Sequence, residues 1–134
     1  MRIICIITVL LITTHLKAEE KFAIADDSLT YRTDQNEDSE GITRDDVAVL
    51  KSLLKANDQV KVINLSSSGG EVGAAYEIVD EVIEQQLDTH VLDFCESACT
   101  LILLAGVNRT AEKNAQIGFH QTSISPNDAK LEYK

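Results

Sequence analysis

Apolar and polar positions in the second half of the chain follow first a strand-like and then a helix-like period. The apolar residues of 60–65 form a short run, whereas those from Ala74 to Ile83 recur every three to four positions. The pattern predicts strands over 60–65, 89–94 and 115–120, and helices over 74–83 and from near Ser97 to Leu104, where Gly106 ends the last one. This strand, helix, strand, helix, strand order is typical of an α/β domain with a mostly parallel sheet.

The first half of the chain has a weaker pattern that contains one clear helix. Val47, Leu50 and Leu54 recur at helical spacing and predict a helix over 44–56. The sequence TRDD at 43–46 resembles a capping box in which Asp replaces the usual Glu. Upstream, the sequence predicts a short strand around 29–31 and an exposed loop over 34–41.

The N-terminal residues have the layout of a secretory signal peptide. A basic start at Arg2 precedes the apolar run 3–12, and Ala18 closes a small-residue cleavage site. The run is too short to span a membrane. We expect a signal peptide over 1–18, a polar and acidic segment over 19–41 and one α/β domain over 42–134, in a secreted or periplasmic protein. A buried N-terminal strand and a membrane anchor are the alternatives.

The charge of the chain excludes one class of partner. The net charge is −10, and without residues 1–18 ten basic residues face twenty-two acidic ones. Such a chain does not bind nucleic acid by neutralising phosphates.

The residues that commonly bind metals are few and far apart. Cys95, Cys99 and the distant His90 or His120 make no recognisable metal-ligand set, so no metal is expected. No cofactor is expected either.

Cys95 and Cys99 stay in the chain after a signal peptide is removed, whereas Cys5 leaves with it. Secretion would place them where disulfides persist. Two helical residues four apart lie near the upper limit of disulfide reach, with a Cα separation of about 6–7 Å. A local disulfide and two free thiols are both compatible with this spacing.

Candidate chemistry lies where the predicted strands end. In an open α/β sheet, sites form beyond the carboxyl ends of the strands. The turn Ser67-Ser68-Gly69-Gly70 follows a predicted strand, and the unobstructed N–H groups of its two glycines can stabilise an oxyanion. A plain flexible turn is the alternative interpretation. A phosphate loop is disfavoured because no Lys follows the glycines.

A serine follows the second predicted strand, and a histidine ends the third. Ser97 opens a helix, where its hydroxyl can cap that helix or act as a nucleophile beside the Ala98 amide. His120 ends a strand that we expect near Ser97, so its imidazole could take the hydroxyl proton. His90 starts a strand and should lie at the opposite end of the sheet.

The segments INLSSSGGEV, CESACTLILLAG, Arg109 and IGFHQ, in this order, resemble the serine-peptidase family of the Clp protease proteolytic subunit. More narrowly, they resemble its secreted, periplasmic Clp-protease-like members, which carry Ser-x-Gly-Gly, Cys-x-Ser-Ala-Cys and Gly-x-His motifs. The resemblance covers roughly residues 42–122, with Ser97 27 positions after Gly70 and 23 before His120. Each motif alone is weak, whereas their order and spacing together are fairly specific.

The resemblance implies a ClpP/crotonase-like fold and a serine peptidase that acts by acyl transfer to Ser97. It implies His120 as the general base and the N–H groups of Gly69, Gly70 and Ala98 as the oxyanion hole. The implied substrate is a peptide or a small acyl group, and a homo-oligomer is possible within this family. Without an ATPase motif or an ATPase partner, only short or unfolded peptides are expected as substrates. A disulfide within the cysteine motif would stiffen the turn that carries the serine.

The sequence departs from the family after His120. The chain ends 14 residues later, whereas the triad acid of the family lies well downstream of the histidine. Asp128 is the only aspartate after His120, and its context does not match the acid motif of the family. The chain therefore allows four interpretations: a Ser–His dyad, a weak enzyme, a degenerate homologue or a C-terminally truncated form.

Three functions compete with a serine hydrolase. A catalytically inactive ClpP-like module would bind peptides or acyl groups without reaction, and the absence of a matching acid favours it. A crotonase-type acyl-CoA protein would use an oxyanion hole without a Ser/His pair, and secretion disfavours it. A thiol enzyme using Cys95 or Cys99 is disfavoured by an oxidising compartment.

Overall fold

Six strands form one sheet in the computed structural model, which describes residues 20–34 and 40–120. The strands are β1 (Phe22–Ala25), β2 (Ser28–Arg32), β3 (Val62–Ser67), β4 (Asp88–Glu96), β5 (Arg109–Ala111) and β6 (Gln116–Gly118). The helices of the described residues are α1 (Arg44–Ala56), α2 (Val72–Glu84) and α3 (Cys99–Ala105). The strand order is β1-β2-β3-β4-β5. Strand β5 pairs with residues 89–91 of β4, and β6 pairs with residues 94–96 of the same strand. Only the β1–β2 pair is antiparallel among these strands.

The predicted α/β class with a mostly parallel sheet is confirmed. The sequence pattern missed β1 and β5. Strand β1 pairs with β2 through a tight turn in which Asp26 has a φ of 53°. Strand β5 has three exposed residues, so it carries no apolar alternation that could reveal it. The segment predicted as polar and acidic, 19–41, therefore contributes two strands to the sheet.

The core lies on one face of the sheet. Leu29 and Ile63 are in register, as are Leu65 and Val91, and all four side chains are fully buried. Because strand residues alternate between faces, these side chains share the face that the helices cover. The helices contribute buried apolar side chains to the same cluster, among them Leu50, Ala74, Ile78, Val82 and Ile102.

Helix α1 has the predicted bounds and the predicted start. Thr43 is the N-cap residue, and its backbone N–H donates to Oδ2 of Asp46 at 2.9 Å. This bond is one half of a capping box, with Asp46 in the place of the usual Glu. The fully buried Asp46 side chain also has partners outside the helix, which are described below.

Helix α3 begins at Cys99, two residues later than the predicted start at Ser97. Ser97 has a φ of 53°, in the left-handed region, which cannot continue into a right-handed helix. The helix ends at Ala105, with Gly106 as the C-cap residue. Over the described ranges, no helix is both long and apolar enough to cross a membrane.

Candidate active site

Three strand ends meet at one edge of the sheet. Strands β3, β4 and β6 are parallel, and they end at Ser67, Glu96 and Gly118. Ser67 is in register with Cys95, and the N–H of Ser97 donates to the carbonyl oxygen of Gly118 at 3.0 Å. The structure thus brings the glycine turn, the serine turn and the end of the histidine strand to the same edge.

Ser97 lies in a tight turn between β4 and α3. It is a half-buried non-glycine residue with a φ of 53°, which is uncommon for its residue type. Ala98 is the N-cap residue of α3, and no side chain caps the helix. The capping role considered for Ser97 is therefore not used. Within the described part of the chain, the Ser97 hydroxyl forms no hydrogen bond, so it is available to a ligand.

Cys95 and Cys99 form a disulfide across this turn. Cys95 belongs to β4 and Cys99 opens α3, so the pair spans a strand-to-helix turn instead of one helical turn. Their Cα atoms are 5.3 Å apart, inside the usual disulfide range. Both residues are fully buried, and the bond closes a small loop around Ser97. In this oxidised form neither sulfur is a free thiol, which argues against the thiol-enzyme interpretation.

Gly69 contacts the serine turn directly. Its φ of 101° is rarely adopted by residues with a side chain. A Cβ atom on Gly69 would lie 2.7 Å from Cβ of Ser97 and 3.0 Å from the backbone nitrogen of Ala98. Both the conformation and the close approach require glycine at this position.

The amide groups of the two turns differ in their partners. Gly69 N–H donates to Oγ of Ser67 at 3.1 Å, and this oxygen also accepts from Oγ1 of Thr33 at 2.7 Å. Gly69 N–H therefore has an acceptor in this structure, and its use as an oxyanion donor stays a prediction. The N–H groups of Gly70 and Ala98 have no acceptor among the described residues.

Ile42 holds the glycine turn in place. Its N–H donates to the carbonyl oxygen of Gly69, and its own carbonyl oxygen accepts from Glu71 N–H, both at 2.8 Å. The two bonds bracket Gly70, where a Cβ atom would overlap the Ile42 backbone. Sequence reasoning missed Ile42, and no motif marks it. Ser67 was also missed as a turn-holding residue, although it stands two positions before Gly69.

His120 is exposed and follows two residues after Gly118, the residue that accepts the Ser97 N–H bond. His90 lies six residues before the end of β4, which is about 20 Å along a strand. Its Nδ1 lies 2.8 Å from Oγ1 of Thr110. His90 therefore lies at the opposite end of β4 from Ser97, as the sequence predicted. Asp128 lies outside the described residues.

Over residues 20–34 and 40–120, no cluster of three or more His, Cys, Asp or Glu side chains is arranged to hold a metal ion.

The mostly parallel α/β sheet, with the candidate site at its strand ends, fits the ClpP/crotonase-like fold. The family model for Clp protease matches residues 33–130. The chain belongs to the Clp protease family.

One solved structure supports the fold, and a second is less similar. An enoyl-CoA hydratase structure from Streptomyces coelicolor A3(2) has a TM-score of 0.51 and 17% sequence identity, over 72% of this chain and 46% of that one. An enoyl-CoA hydratase from Mycobacterium smegmatis has a TM-score of 0.43 and 16% identity, over 73% of this chain and 48% of that one. The chain thus spans about half the length of these hydratases. At this identity the first likeness shows the fold alone. No curated protein matches the chain.

Proposed function

We propose that this member of the Clp protease family is a serine hydrolase that acts on peptides or small acyl groups. Ser97 is the nucleophile, His120 is the general base, and the N–H groups of Gly70 and Ala98 form the oxyanion hole. One observation carries the proposal. Ser97 is held in a left-handed turn with an unengaged hydroxyl, directly against the paired glycines.

The proposed reaction has two steps. Ser97 Oγ attacks the substrate carbonyl carbon while the His120 imidazole accepts the hydroxyl proton. The negative charge on the carbonyl oxygen is stabilised by the two free N–H groups. The imidazolium then gives its proton to the leaving group, and an acyl-enzyme remains on Ser97. Water, deprotonated by His120, attacks this ester. The bond to Ser97 Oγ then breaks, His120 returns the proton to Oγ, and the carboxylic acid product leaves.

Backbone donors at these positions suit an oxyanion for a physical reason. A donor that already has a protein acceptor must break that bond before it can stabilise new charge, which costs part of the gain. Gly70 and Ala98 carry no such bond among the described residues, whereas Gly69 does. The proposal therefore uses Gly70 and Ala98 as donors and gives Gly69 the role of a close-packing residue.

Acyl-enzyme formation tests the function. The purified protein is incubated with activated acyl esters and a pool of short peptides, and both product release and mass are followed. We expect ester turnover and an acyl adduct on Ser97. Ser97→Ala should remove both. Ser68→Ala is the matched control, because this exposed serine lies in the same site region and has no role in the proposal.

A folded protein that forms no acyl adduct with any of these substrates would contradict catalysis. Binding of the same peptides without turnover would then assign the chain to the non-catalytic peptide-binding alternative. Circular dichroism and the unfolding temperature of the same sample distinguish this outcome from a misfolded preparation.

Export remains part of the proposal. We propose that residues 1–18 are a cleaved signal peptide and that the protein acts outside the cytoplasm. The Cys95–Cys99 disulfide supports this, because disulfides persist mainly in oxidising compartments. The N-terminal mass of the exported protein tests it: cleavage after Ala18 leaves Glu19 as the first residue. An uncleaved chain that stays in the cytoplasm would contradict it.

Self-association is also proposed, on the basis of membership of the Clp protease family. Light scattering during size-exclusion chromatography gives the mass in solution. A multiple of the chain mass supports the proposal, and a single-chain mass at all concentrations contradicts it.

A further inference from the structure

A buried charged group lies in the first turn of helix α1. The Asp46 side chain is 0% exposed. Its Oδ2 accepts from the Tyr31 hydroxyl at 2.6 Å, from Thr43 N–H at 2.9 Å and from Lys21 Nζ at 2.9 Å. Lys21 also reaches Oδ1 at 3.0 Å. A charge taken out of water to this extent is stable only with such partners.

Lys21 connects this carboxylate to the backbone beside the site. Its Nζ also donates to the carbonyl oxygen of Gly41 at 2.7 Å, and its side chain is 14% exposed. The Lys21 carbonyl oxygen accepts from Arg32 N–H at 2.9 Å, which fixes the lysine against the sheet. Lys21 and Asp46 therefore hold the segment 41–43 from both of its ends, through Gly41 and Thr43.

Segment 41–43 in turn contacts the glycine turn. A Cβ atom on Gly41 would overlap the carbonyl oxygen of Gly69 and lie 3.3 Å from Cα of Gly70. Ile42, between the two held residues, makes the two hydrogen bonds that bracket Gly70. A continuous set of contacts thus runs from Asp46 through the segment 41–43 to Gly70.

We propose that Lys21 and Asp46 are positioning residues that aim the Gly70 N–H into the oxyanion hole, acting through Gly41, Ile42 and Thr43. The catalytic meaning of this role rests on the proposed serine-hydrolase function. The physical reason is that a donor stabilises an oxyanion only when it is held in place before the charge forms. Gly70 has a φ of 148°, which residues with a side chain rarely adopt, and the Ile42 hydrogen bonds on either side hold it in place.

Tyr31 completes the network. Burial, with the charge and hydrogen bond of Asp46 as further causes, raises the pKa of Tyr31 far above its usual range. The phenol therefore keeps its proton and remains a donor to the carboxylate. Its ring stacks on Phe22 with centroids 4.5 Å apart, so the network is packed against strand β1.

Substitution of Lys21 separates positioning from general stability. Lys21→Met keeps much of the apolar stem and removes the ammonium group. Lys51→Met is the matched control. Lys51 lies on the same helix as Asp46, its side chain is 47% exposed, and it forms an ion pair with Glu81 at 3.5 Å. Lys21→Arg keeps the charge and the donors, and it tests rescue.

Two readouts are used at a temperature where every variant is folded. In ¹⁵N-edited spectra, we expect the Gly70 and Ile42 amide signals to shift in Lys21→Met and to stay in place in Lys51→Met. With a fluorophosphonate probe, we expect the maximal rate of Ser97 modification to fall at least tenfold in Lys21→Met, with little change in the probe concentration for half-maximal rate. Lys21→Arg should restore most of the rate.

The outcomes are distinguishable. An unshifted Gly70 amide in folded Lys21→Met overturns the positioning role. A shifted Gly70 amide in a protein whose parent form never reacts with the probe supports the positioning role and contradicts the proposed function. If Lys21→Met does not fold, Tyr31→Phe replaces it, because this variant removes one bond to Asp46 without leaving a charge unpaired. It should shift the same two amides by a smaller amount, and unshifted amides would again overturn the role.

Discussion

Gly69 and Ser97 are in such close contact that a methyl group on Gly69 would lie 2.7 Å from Cβ of the serine. The two residues belong to different turns, which follow neighbouring parallel strands. Each turn has a residue with a positive φ at the point of contact. The serine turn and the glycine turn therefore behave as one unit, and a change in either is expected to displace the other.

Gly69→Ala tests this contact. The added methyl group has no room, and the φ of 101° is unfavourable for alanine. We expect the free energy of unfolding to fall by about 1–3 kcal/mol and the modification of Ser97 to slow at least tenfold. Urea unfolding and probe labelling measure the two effects.

Gly73→Ala is the control for that substitution. Gly73 lies in α2, and its added Cβ would meet only the flexible Arg44 side chain, at 3.2 Å. Because alanine is a better helix former, this variant should gain about 0.5–1 kcal/mol and label normally. Equal labelling of both variants would show that the Gly69–Ser97 contact has no effect on the serine.

Removing the disulfide should loosen the serine turn. In a Cys5→Ser background, Cys95→Ala with Cys99→Ala opens a five-residue loop, and the chain-entropy model gives a loss of about 2 kcal/mol. We expect this loss in urea unfolding, together with slower labelling of Ser97. This loss is expected only if the parent protein contains the Cys95–Cys99 disulfide. Two free thiols in the exported, non-reduced protein, found by mass analysis after alkylation, would contradict it.

Tyr31 should make the free energy of unfolding fall as the pH rises into the alkaline range. Burial first, then the charge and hydrogen bond of Asp46, raise its pKa far above the usual value. Below the pKa of about 10 in the unfolded chain, the phenol is neutral in both states and contributes no pH dependence. At higher pH the unfolded chain loses the proton while the folded protein keeps it. The free energy of unfolding should then fall by up to about 1.4 kcal/mol per pH unit from this group.

Urea unfolding between about pH 8 and about pH 11 measures this slope. Tyr31→Phe should reduce the slope above pH 10 and should also lower the stability at neutral pH, because Asp46 loses a hydrogen bond. Tyr76→Phe is the matched control, since the Tyr76 side chain is 55% exposed, and its slope should equal that of the parent protein. A Tyr31→Phe slope equal to that of the parent would disprove the assignment.

Ser67 and Thr33 should be energetically coupled. Ser67→Ala leaves the buried Thr33 hydroxyl and the Gly69 N–H without their partner, which we expect to cost about 1–3 kcal/mol. Adding Thr33→Val removes one of these stranded groups, so the double variant should be more stable than the sum of the single effects. Additive losses in urea unfolding would show that the two hydroxyls do not interact.

The sequence was most informative where the deciding contacts are local. The bounds of α1 and the capping role of Asp46 follow from residues within one helical turn. The partner of Asp46 in the core, Lys21, is 25 residues away, so no sequence pattern indicates it. Strand β5 was missed because its three residues are all exposed and carry no periodic signal.

The site was predictable in its residues and less so in its geometry. The glycine turn, Ser97 and the β6 end were each found at a strand end, and the parallel order places those ends together. The predicted start of α3 was two residues early, because the sequence does not distinguish a serine with a positive φ from the first residue of a helix. The engaged amide of Gly69 depends on the rotamer of Ser67, which only the folded structure shows.

The most direct test of the proposed function is fluorophosphonate labelling of the exported, folded protein, with the adduct mapped by mass spectrometry. Ser97→Ala and His120→Ala are measured beside the parent protein, and His90→Ala serves as the histidine control. We expect one adduct on Ser97 in the parent and in His90→Ala, and none in Ser97→Ala or His120→Ala. A folded parent protein without an adduct on Ser97, or equal labelling of His120→Ala, would contradict the proposed function.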